Sequence, residues 1–145
     1  MKKKMMASML ACAMMSMISI QADNSTVITT EVPSKFNLTI PTGQDIDYGT
    51  VKTTLSPLYV SGDLAQGKTV EVSVEKTEFS NEKGDTISYA LNEGNQAFTG
   101  DVWNDKEVGN DPKKVNLNIV IDGDTWNQAK PGKYTTTISF TAKLK

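Results

Sequence analysis

The sequence predicts an all-β protein, folded as a two-sheet sandwich of seven or eight short strands with Greek-key connections. Apolar and polar residues alternate with a period of two in several segments, and clusters of turn-forming residues separate those segments. After residue 22, no apolar pattern with helical spacing lasts for three turns. Many short strands with frequent turns are typical of a sandwich or a related barrel.

The predicted strands follow one another along the chain. Residues 26–32 form the weakest one, because the segment is rich in threonine. The next, residues 36–40, alternates clearly and ends at Pro41, which lacks a backbone donor. Four more are centred on residues 58–60, 70–74, 87–91 and 115–121.

The clearest pattern is the closing stretch PGKYTTTISFTAKLK. Its apolar and aromatic side chains alternate with Thr, Ser and Lys, which predicts one long strand over residues 133–144 with one face in a core. The Pro131-Gly132 pair before it is a turn signal. We expect this strand to lie at or near a sheet edge.

The two tryptophans have different surroundings. Residues 100–114 are weakly patterned and contain several acids, so we expect a surface loop there. An indole is costly to expose, and we therefore consider Trp103 a candidate for stacking on a sugar or peptide ligand. The alternative is that Trp103 folds back over one end of the sandwich. We expect Trp126, which precedes the closing strand, to lie in the core.

The N-terminus has the pattern of a secretory signal peptide over residues 1–22: three lysines, an apolar run and a small residue at Ala22. The apolar run is short for a membrane span, and polar residues follow at once. We expect cleavage between Ala22 and Asp23, which leaves residues 23–145 as one domain that is secreted or held at the cell surface. Cys12 also allows a lipoprotein interpretation, with only a short apolar segment before it.

Composition excludes several partners. The chain has 15 basic and 17 acidic side chains, and three of its lysines lie in the signal, so the mature protein is acidic. We therefore expect no nucleic acid partner and no membrane insertion after signal removal. The chain has one cysteine, Cys12, so we expect the mature domain to fold without a disulfide.

Catalytic residue types are scarce. Residues 23–145 contain no His, Cys or Arg, which removes the usual general base, thiolate nucleophile and bidentate anion clamp. Ser80 and Lys83 have the spacing of a serine–lysine pair, but they fall in a predicted turn, where a lysine stays solvated and charged. We expect no enzymatic activity and no cofactor.

The acids and amides of the chain offer two other kinds of chemistry. Acids in turns usually accept hydrogen bonds from nearby backbone amides. Among functional roles for these acids, a calcium site is a better interpretation than a pair of catalytic carboxylates, and Asp101 and Asp105 are the metal candidates. No acidic loop matches the EF-hand spacing. An internal Lys–Asn cross-link is not expected, because Lys143, Asn116 and Asn118 fall on predicted polar faces.

Three segments, PSKFNLTIPTGQDIDYGTV, YVSGDL and WNQAKPGKYTTTISFTAKL, together resemble secreted immunoglobulin-like surface domains of gut Firmicutes. The matching positions are Phe36, Thr39, Ile40, Pro41, Val60, Gly62, Asp63, Trp126, Ala129, Gly132, Tyr134, Thr135, Thr137 and Phe140. The resemblance spans most of the mature chain and implies an immunoglobulin-like sandwich at the cell surface.

The closing strand is also similar to that of donor-strand fimbrial subunits of the chaperone–usher type. Gly132 stands fourteenth from the end and opens a final alternating strand. Those subunits usually have an aromatic residue next to last and often a disulfide, whereas Leu144 stands in that place here.

These observations predict an exported, non-enzymatic structural or adhesive domain, pilin-like or adhesin-like, with surface proteins, like subunits or glycans as partners. The alternative is a carbohydrate-binding module that uses Trp103, with Tyr48 and Tyr59 as the other aromatic candidates. Residues 23–32 either close the sandwich edge of their own molecule or add to the edge of a neighbour, since both use the same backbone hydrogen bonds.

Overall fold

The structure, a computed structural model, describes residues 25–145. The predicted signal peptide with Cys12 and the cleavage site Ala22-Asp23 lie outside the described residues. Internal contacts divide the chain into two units, Met1–Val32 and Pro33–Lys145. In residues 25–145, no helix is long and apolar enough to cross a membrane.

The described part of the first unit, residues 25–32, contains neither strand nor helix. The prediction of a strand over residues 26–32 is therefore wrong for the chain as it stands. A strand needs a partner for its backbone donors and acceptors, and none of the ladders among the described residues includes this segment. Its apolar side chains, Val27, Ile28 and Val32, are 87%, 89% and 76% exposed.

The second unit, Pro33–Lys145, contains short strands and one short helix, here α1. The strands are β1 (Lys35–Thr39), β2 (Lys52–Thr54), β3 (Leu58–Asp63), β4 (Thr69–Lys76), β5 (Phe79–Ser80), β6 (Thr86–Ile87), β7 (Ala90–Glu93), β8 (Gln96–Ala97), β9 (Gly100–Asn104), β10 (Lys114–Val115), β11 (Leu117–Val120) and β12 (Ile138–Leu144), with α1 (Gly123–Gln128) before β12.

The strands form antiparallel sheets with the orders β1-β3-β10, β2-β11-β7-β8, β12-β4-β9 and β5-β6. The predicted all-β class is confirmed. Buried residues of the three larger sheets form one cluster, which includes Leu58, Val70, Val72, Trp103, Leu117 and Ile119. Every larger sheet therefore contributes one face to a shared core.

The closing strand is shorter than predicted. It alternates half-buried and exposed residues over Ile138–Leu144 and pairs with β4 throughout. Residues 133–137 lie outside this ladder because β4 ends at Lys76, which is the partner of Ile138. A single bridge between Ser80 and Thr135 continues the pairing beyond that point.

The prediction of a surface loop over residues 100–114 is wrong, because the segment begins with β9 and contributes to the core. Trp103 pairs with Val70 of β4 and is fully buried, and Val108 is 1% exposed. The indole Nε1 donates to the carbonyl oxygen of Lys113 at 2.8 Å, so its single polar group is satisfied. The large apolar area of the ring is therefore buried without an unpaired donor.

Trp126 lies in α1 and is only half-buried, so the expectation of a core position is met in part. Its Nε1 donates to the carbonyl oxygen of Thr50 at 2.9 Å. The sequence pattern predicts no helix at this position. The helix is short and begins at an N-cap, Asp122, whose Oδ1 accepts the Thr125 backbone N–H at 2.7 Å; this bond lowers the pKa of the Asp122 carboxyl.

Asn118 is buried rather than on a solvated face, which corrects the expectation for this residue. It lies on β11, an inner strand of its sheet, with Thr54 and Asn92 opposite it on the two neighbouring strands. Asn118 is 8% exposed, and Thr54 Oγ1 donates to its Oδ1 at 3.1 Å. Asn116 and Lys143 are exposed as expected.

We predict that Trp103→Ala lowers the free energy of unfolding by about 3–5 kcal/mol, because it leaves a cavity in the core. Trp126→Ala is expected to cost about 1–2 kcal/mol, because that ring is only half-buried. Urea unfolding followed by circular dichroism measures both. Equal losses at the two positions would contradict the difference in burial.

We also predict that Gly100→Ala is strongly destabilising. Gly100 has φ +143°, and a Cβ there would lie 2.5 Å from the Val72 carbonyl oxygen of the neighbouring strand. The expected loss is about 2 kcal/mol or more. Gly43 is the matched control, since a Cβ there meets nothing within 4 Å, and Gly43→Ala should change stability by less than about 0.5 kcal/mol. Thermal unfolding of the two variants should therefore differ clearly.

Candidate functional site

The described residues form a groove of about 1000 Å³. One wall is the segment after β1, over residues 40–48, and the other is the segment that leads into β12, over residues 129–140. The floor is apolar and consists of Leu55, Phe79, Ile87, Ile119 and Ile121. A volume of this size is at the upper end for pockets that take small molecules.

The first wall is fixed at both ends. Pro41 ends β1, and the Thr42 backbone N–H donates to Ser56 Oγ at 2.8 Å. At the other end, Gly49 has φ +87° in the turn that closes when the Thr50 N–H donates to the Asp47 carbonyl oxygen. Trp126 Nε1 then holds the Thr50 carbonyl. The wall between these points carries Ile46 toward the core and Tyr48 toward solvent.

The second wall has polar attachments to the segments that flank the β5–β6 pair. Thr136 Oγ1 donates to the carbonyl oxygen of Thr77 at 2.6 Å and lies 3.2 Å from the hydroxyl of Tyr89. Burial raises the pKa of Tyr89, so this hydroxyl stays protonated. Tyr134 completes the wall, and its hydroxyl donates to the Lys130 carbonyl oxygen at 2.9 Å.

The second wall also carries an ion pair. Lys130 Nζ lies 3.1 Å from Asp85 Oδ1, on the loop between β5 and β6. The hydrogen bond from Asn81, followed by that from Lys130, lowers the pKa of the Asp85 carboxyl below its usual 3.8. The fold therefore favours the carboxylate. This contribution to stability is present above the usual pKa and is lost as the pH falls through the lowered one.

One edge of β12 is unpaired at the groove. Among the described strands, β12 has a ladder with β4 alone and ends the order β12-β4-β9. Ile138 and Phe140 of β12 both line the groove and are half-buried. The expected edge position of the closing strand is confirmed for Ile138–Leu144. The groove thus combines an apolar floor with a row of free backbone donors and acceptors.

The groove lining includes an aromatic pair. The Tyr48 ring stands edge-on to Trp126, with 5.4 Å between ring centroids and 71° between the planes. Tyr48 is 75% exposed, whereas Trp126 is fixed by its bond to Thr50. The Tyr48 ring is therefore exposed to solvent and supported by its contact with the Trp126 ring.

Of the candidate site residues, Tyr48 lines this groove, whereas Trp103, Asp101 and Asp105 do not. Trp103 is fully buried, so it has no exposed face for a ligand, and the stacking hypothesis is wrong for this residue. Asp101 Oδ1 accepts the Val102 backbone N–H, and its Oδ2 lies 3.1 Å from Lys113 Nζ. Asp105 does not join it in a metal site, since no group of three potential ligand side chains occurs within residues 25–145.

The groove lining offers backbone groups, hydroxyls, apolar side chains and few charges. Its one carboxylate is Asp45, and its two ammonium groups are Lys130 and Lys133.

Comparison of the chain with protein-family models, with curated proteins and with solved structures found no match in any of the three.

Proposed function

We propose that residues 23–145 are an exported, non-enzymatic domain of the cell surface with an immunoglobulin-like sandwich and Greek-key connections. Its role is structural and pilin-like: a β-strand from another molecule enters the groove and completes the fold. The observation that carries this proposal is the free edge of β12 beside an apolar floor. Export follows from the N-terminal signal pattern.

An extended segment suits both parts of the groove. Its backbone would pair with the free donors and acceptors of β12, which a compact small molecule cannot match along the strand. Every second side chain would point to the floor, where Leu55, Ile119 and Ile121 lie. Burial of those side chains supplies the affinity, and the backbone ladder supplies the alignment.

The donor segment in this proposal is residues 25–32 of a second copy. Five of the seven residues after Ser25 and before Pro33 are Thr or Val, which favour strands. Ile28 and Val32 fall on one face of an extended chain, and Val27 and Glu31 fall on the other. The first face is the apolar one and would point to the floor. The high exposure of Ile28 and Val32 makes this burial favourable.

The position of β1 favours exchange between molecules. The segment joins the second unit at Pro33, beside the start of β1, where Lys35 pairs with Asp63. The groove wall begins after the other end of β1, at Ile40. Because the donor segment and the groove are different surfaces, the contact is head-to-tail, and it forms an open chain unless the rotation between copies closes a ring.

The groove chemistry supports a binding role over a catalytic one. Glycoside hydrolysis requires two carboxyl groups across the scissile bond, and Asp45 is the single acid of the lining. Nucleophilic catalysis requires a base beside the nucleophile, and residues 23–145 contain no His. The hydroxyls of the second wall bond to the protein itself, as at Thr136.

We predict that the mature chain 23–145 forms oligomers whose mass rises with concentration, and that a chain beginning at Pro33 stays monomeric. The shortened chain should bind a synthetic peptide of residues 23–34, because its groove is intact and its own donor is gone. Size-exclusion chromatography with light scattering gives the masses, and calorimetry gives the binding.

Two variants of the peptide test the direction of insertion. Ile28→Asp places a charge on the face that points to the apolar floor and should abolish binding. Val27→Asp, the matched control on the opposite face, should bind nearly as well as the natural peptide. A mature chain that stays monomeric at high concentration, with a shortened chain that ignores the peptide, would refute strand exchange.

A second candidate function is glycan binding, favoured by the exposed Tyr48 ring against Trp126. We predict for this case that the mature domain binds members of a glycan array and that Tyr48→Ala removes the binding. Tyr48→Phe should retain it, because stacking on a sugar uses the ring and not the hydroxyl. Absence of glycan binding by the natural protein would exclude this function.

A further inference from the structure

The segment that leads into β12 is an extended wall of the groove without a continuous ladder behind it. Its backbone is tied to β5 by one bridge, in which Ser80 and Thr135 exchange hydrogen bonds of 2.9 and 3.0 Å. A further bond of 3.3 Å runs from the Thr77 N–H to the Thr137 carbonyl oxygen. One bridge is weak support for a segment that must present a straight edge.

An array of polar side chains reinforces this attachment. Asn81 Oδ1 accepts the backbone N–H groups of Lys83 and Asp85 at 2.9 and 2.8 Å, and Asn81 Nδ2 donates to Asp85 Oδ2 at 3.0 Å. The second oxygen of Asp85 bonds Lys130 Nζ at 3.1 Å. The β5–β6 loop therefore holds one carboxylate in a fixed position and points it at the wall.

Gly132 brings the wall close to this array. A Cβ on Gly132 would lie 3.3 Å from Asn81 Nδ2, so the backbone passes next to the amide that orients Asp85. Lys130 and Gly132 flank Pro131, whose ring restricts the backbone between them. Fixing the position of Lys130 therefore also restricts the backbone of the residues that follow it.

We propose that Asn81, Asp85 and Lys130 form a latch that positions residues 133–137 as an extension of the free β12 edge, and so lengthens the surface that receives the incoming strand. The inference rests on the proposed strand exchange. Asp85 and Lys130 are positioning residues, since neither is required to touch the incoming strand. Holding the wall in its bound conformation reduces the ordering that binding would otherwise require.

The charges around the latch suit this role at neutral pH. The side chain of Asp85 is 25% exposed, and Lys130 and Lys83 are the cations that act on it. Lys130 is 72% exposed, so the ion pair is screened by salt. The latch should therefore weaken at high ionic strength and at a pH low enough to protonate Asp85.

The chain offers a matched control. Lys133 lies on the same wall, lines the same groove and is exposed, but it forms no ion pair in residues 25–145. Asp85→Asn and Lys130→Gln remove the ion pair with little change in shape. Lys133→Gln removes the same charge as Lys130→Gln and leaves the latch intact, and Lys130→Arg keeps the pair.

The first measurement is amide hydrogen exchange of Ser80 and Thr135, in the full mature chain made monomeric by Ile28→Asp. We expect exchange of both amides to rise about two- to fivefold in Asp85→Asn and Lys130→Gln, the range of an exposed ion pair. Lys133→Gln and Lys130→Arg should match the parent. Equal exchange in all four variants would overturn the latch.

The second measurement is the concentration at which the mature chain, with its natural Ile28, reaches half assembly. Asp85→Asn and Lys130→Gln should raise it by about two- to fivefold at low salt, and the difference should shrink in 1 M salt. If the natural chain does not assemble, the proposed function fails. If it assembles and these variants reach half assembly at the same concentration as the natural chain at low salt, the latch alone is refuted.

Discussion

An antiparallel strand has two hydrogen-bonding edges, and β12 uses one of them within the described residues. The rest of the groove follows from this constraint. β4 holds β12 along Ile138–Leu144, so its half-buried face is directed inward while its outer backbone remains free. The opposite wall, residues 40–48, contains no strand, and Pro41 near its start lacks a backbone donor. The apolar floor of the groove and the free backbone edge of β12 are therefore accessible at the same place.

The sheet β12-β4-β9 also explains the centre of the core. β4 is the middle strand, and Val70 and Val72 are buried between its two neighbours. Trp103 stands opposite Val70, and Gly100 lets β9 approach the Val72 carbonyl. The close backbone approach at Gly100 and the large ring of Trp103 therefore belong to one packing arrangement between β9 and β4.

Period two in the sequence was sufficient where a strand has one clear apolar face. It predicted β1, β4 and β12 near their observed positions, and the edge location of β12 as well. It failed for β9, because the strand is flanked by acids and its burial depends on pairing with β4. Trp103 has polar neighbours in the sequence, so the sequence pattern did not indicate that tertiary contacts place it at the centre of the core.

The groove could not be predicted for a related reason. Its walls come from residues 40–48 and 129–140, which are far apart in the chain, and their proximity depends on the order of the sheets. Tyr48 and Trp126 were noted separately, but no pattern in the sequence brings the two rings together. The helix α1 was missed because it is shorter than the repeat by which helices are recognised.

The other edge of the sheet β12-β4-β9, at β9, is partly blocked by a lysine side chain. At β9, Lys113 Nζ donates to the carbonyl oxygen of Val102, and the ammonium group lies 3.1 Å from Asp101 Oδ2 and 4.7 Å from the centroid of the Trp103 ring. A charged side chain occupies a backbone acceptor there and must be displaced before another strand can pair at that point. The sheet can therefore grow more easily past β12 than past β9, which gives each molecule one preferred direction for sheet extension.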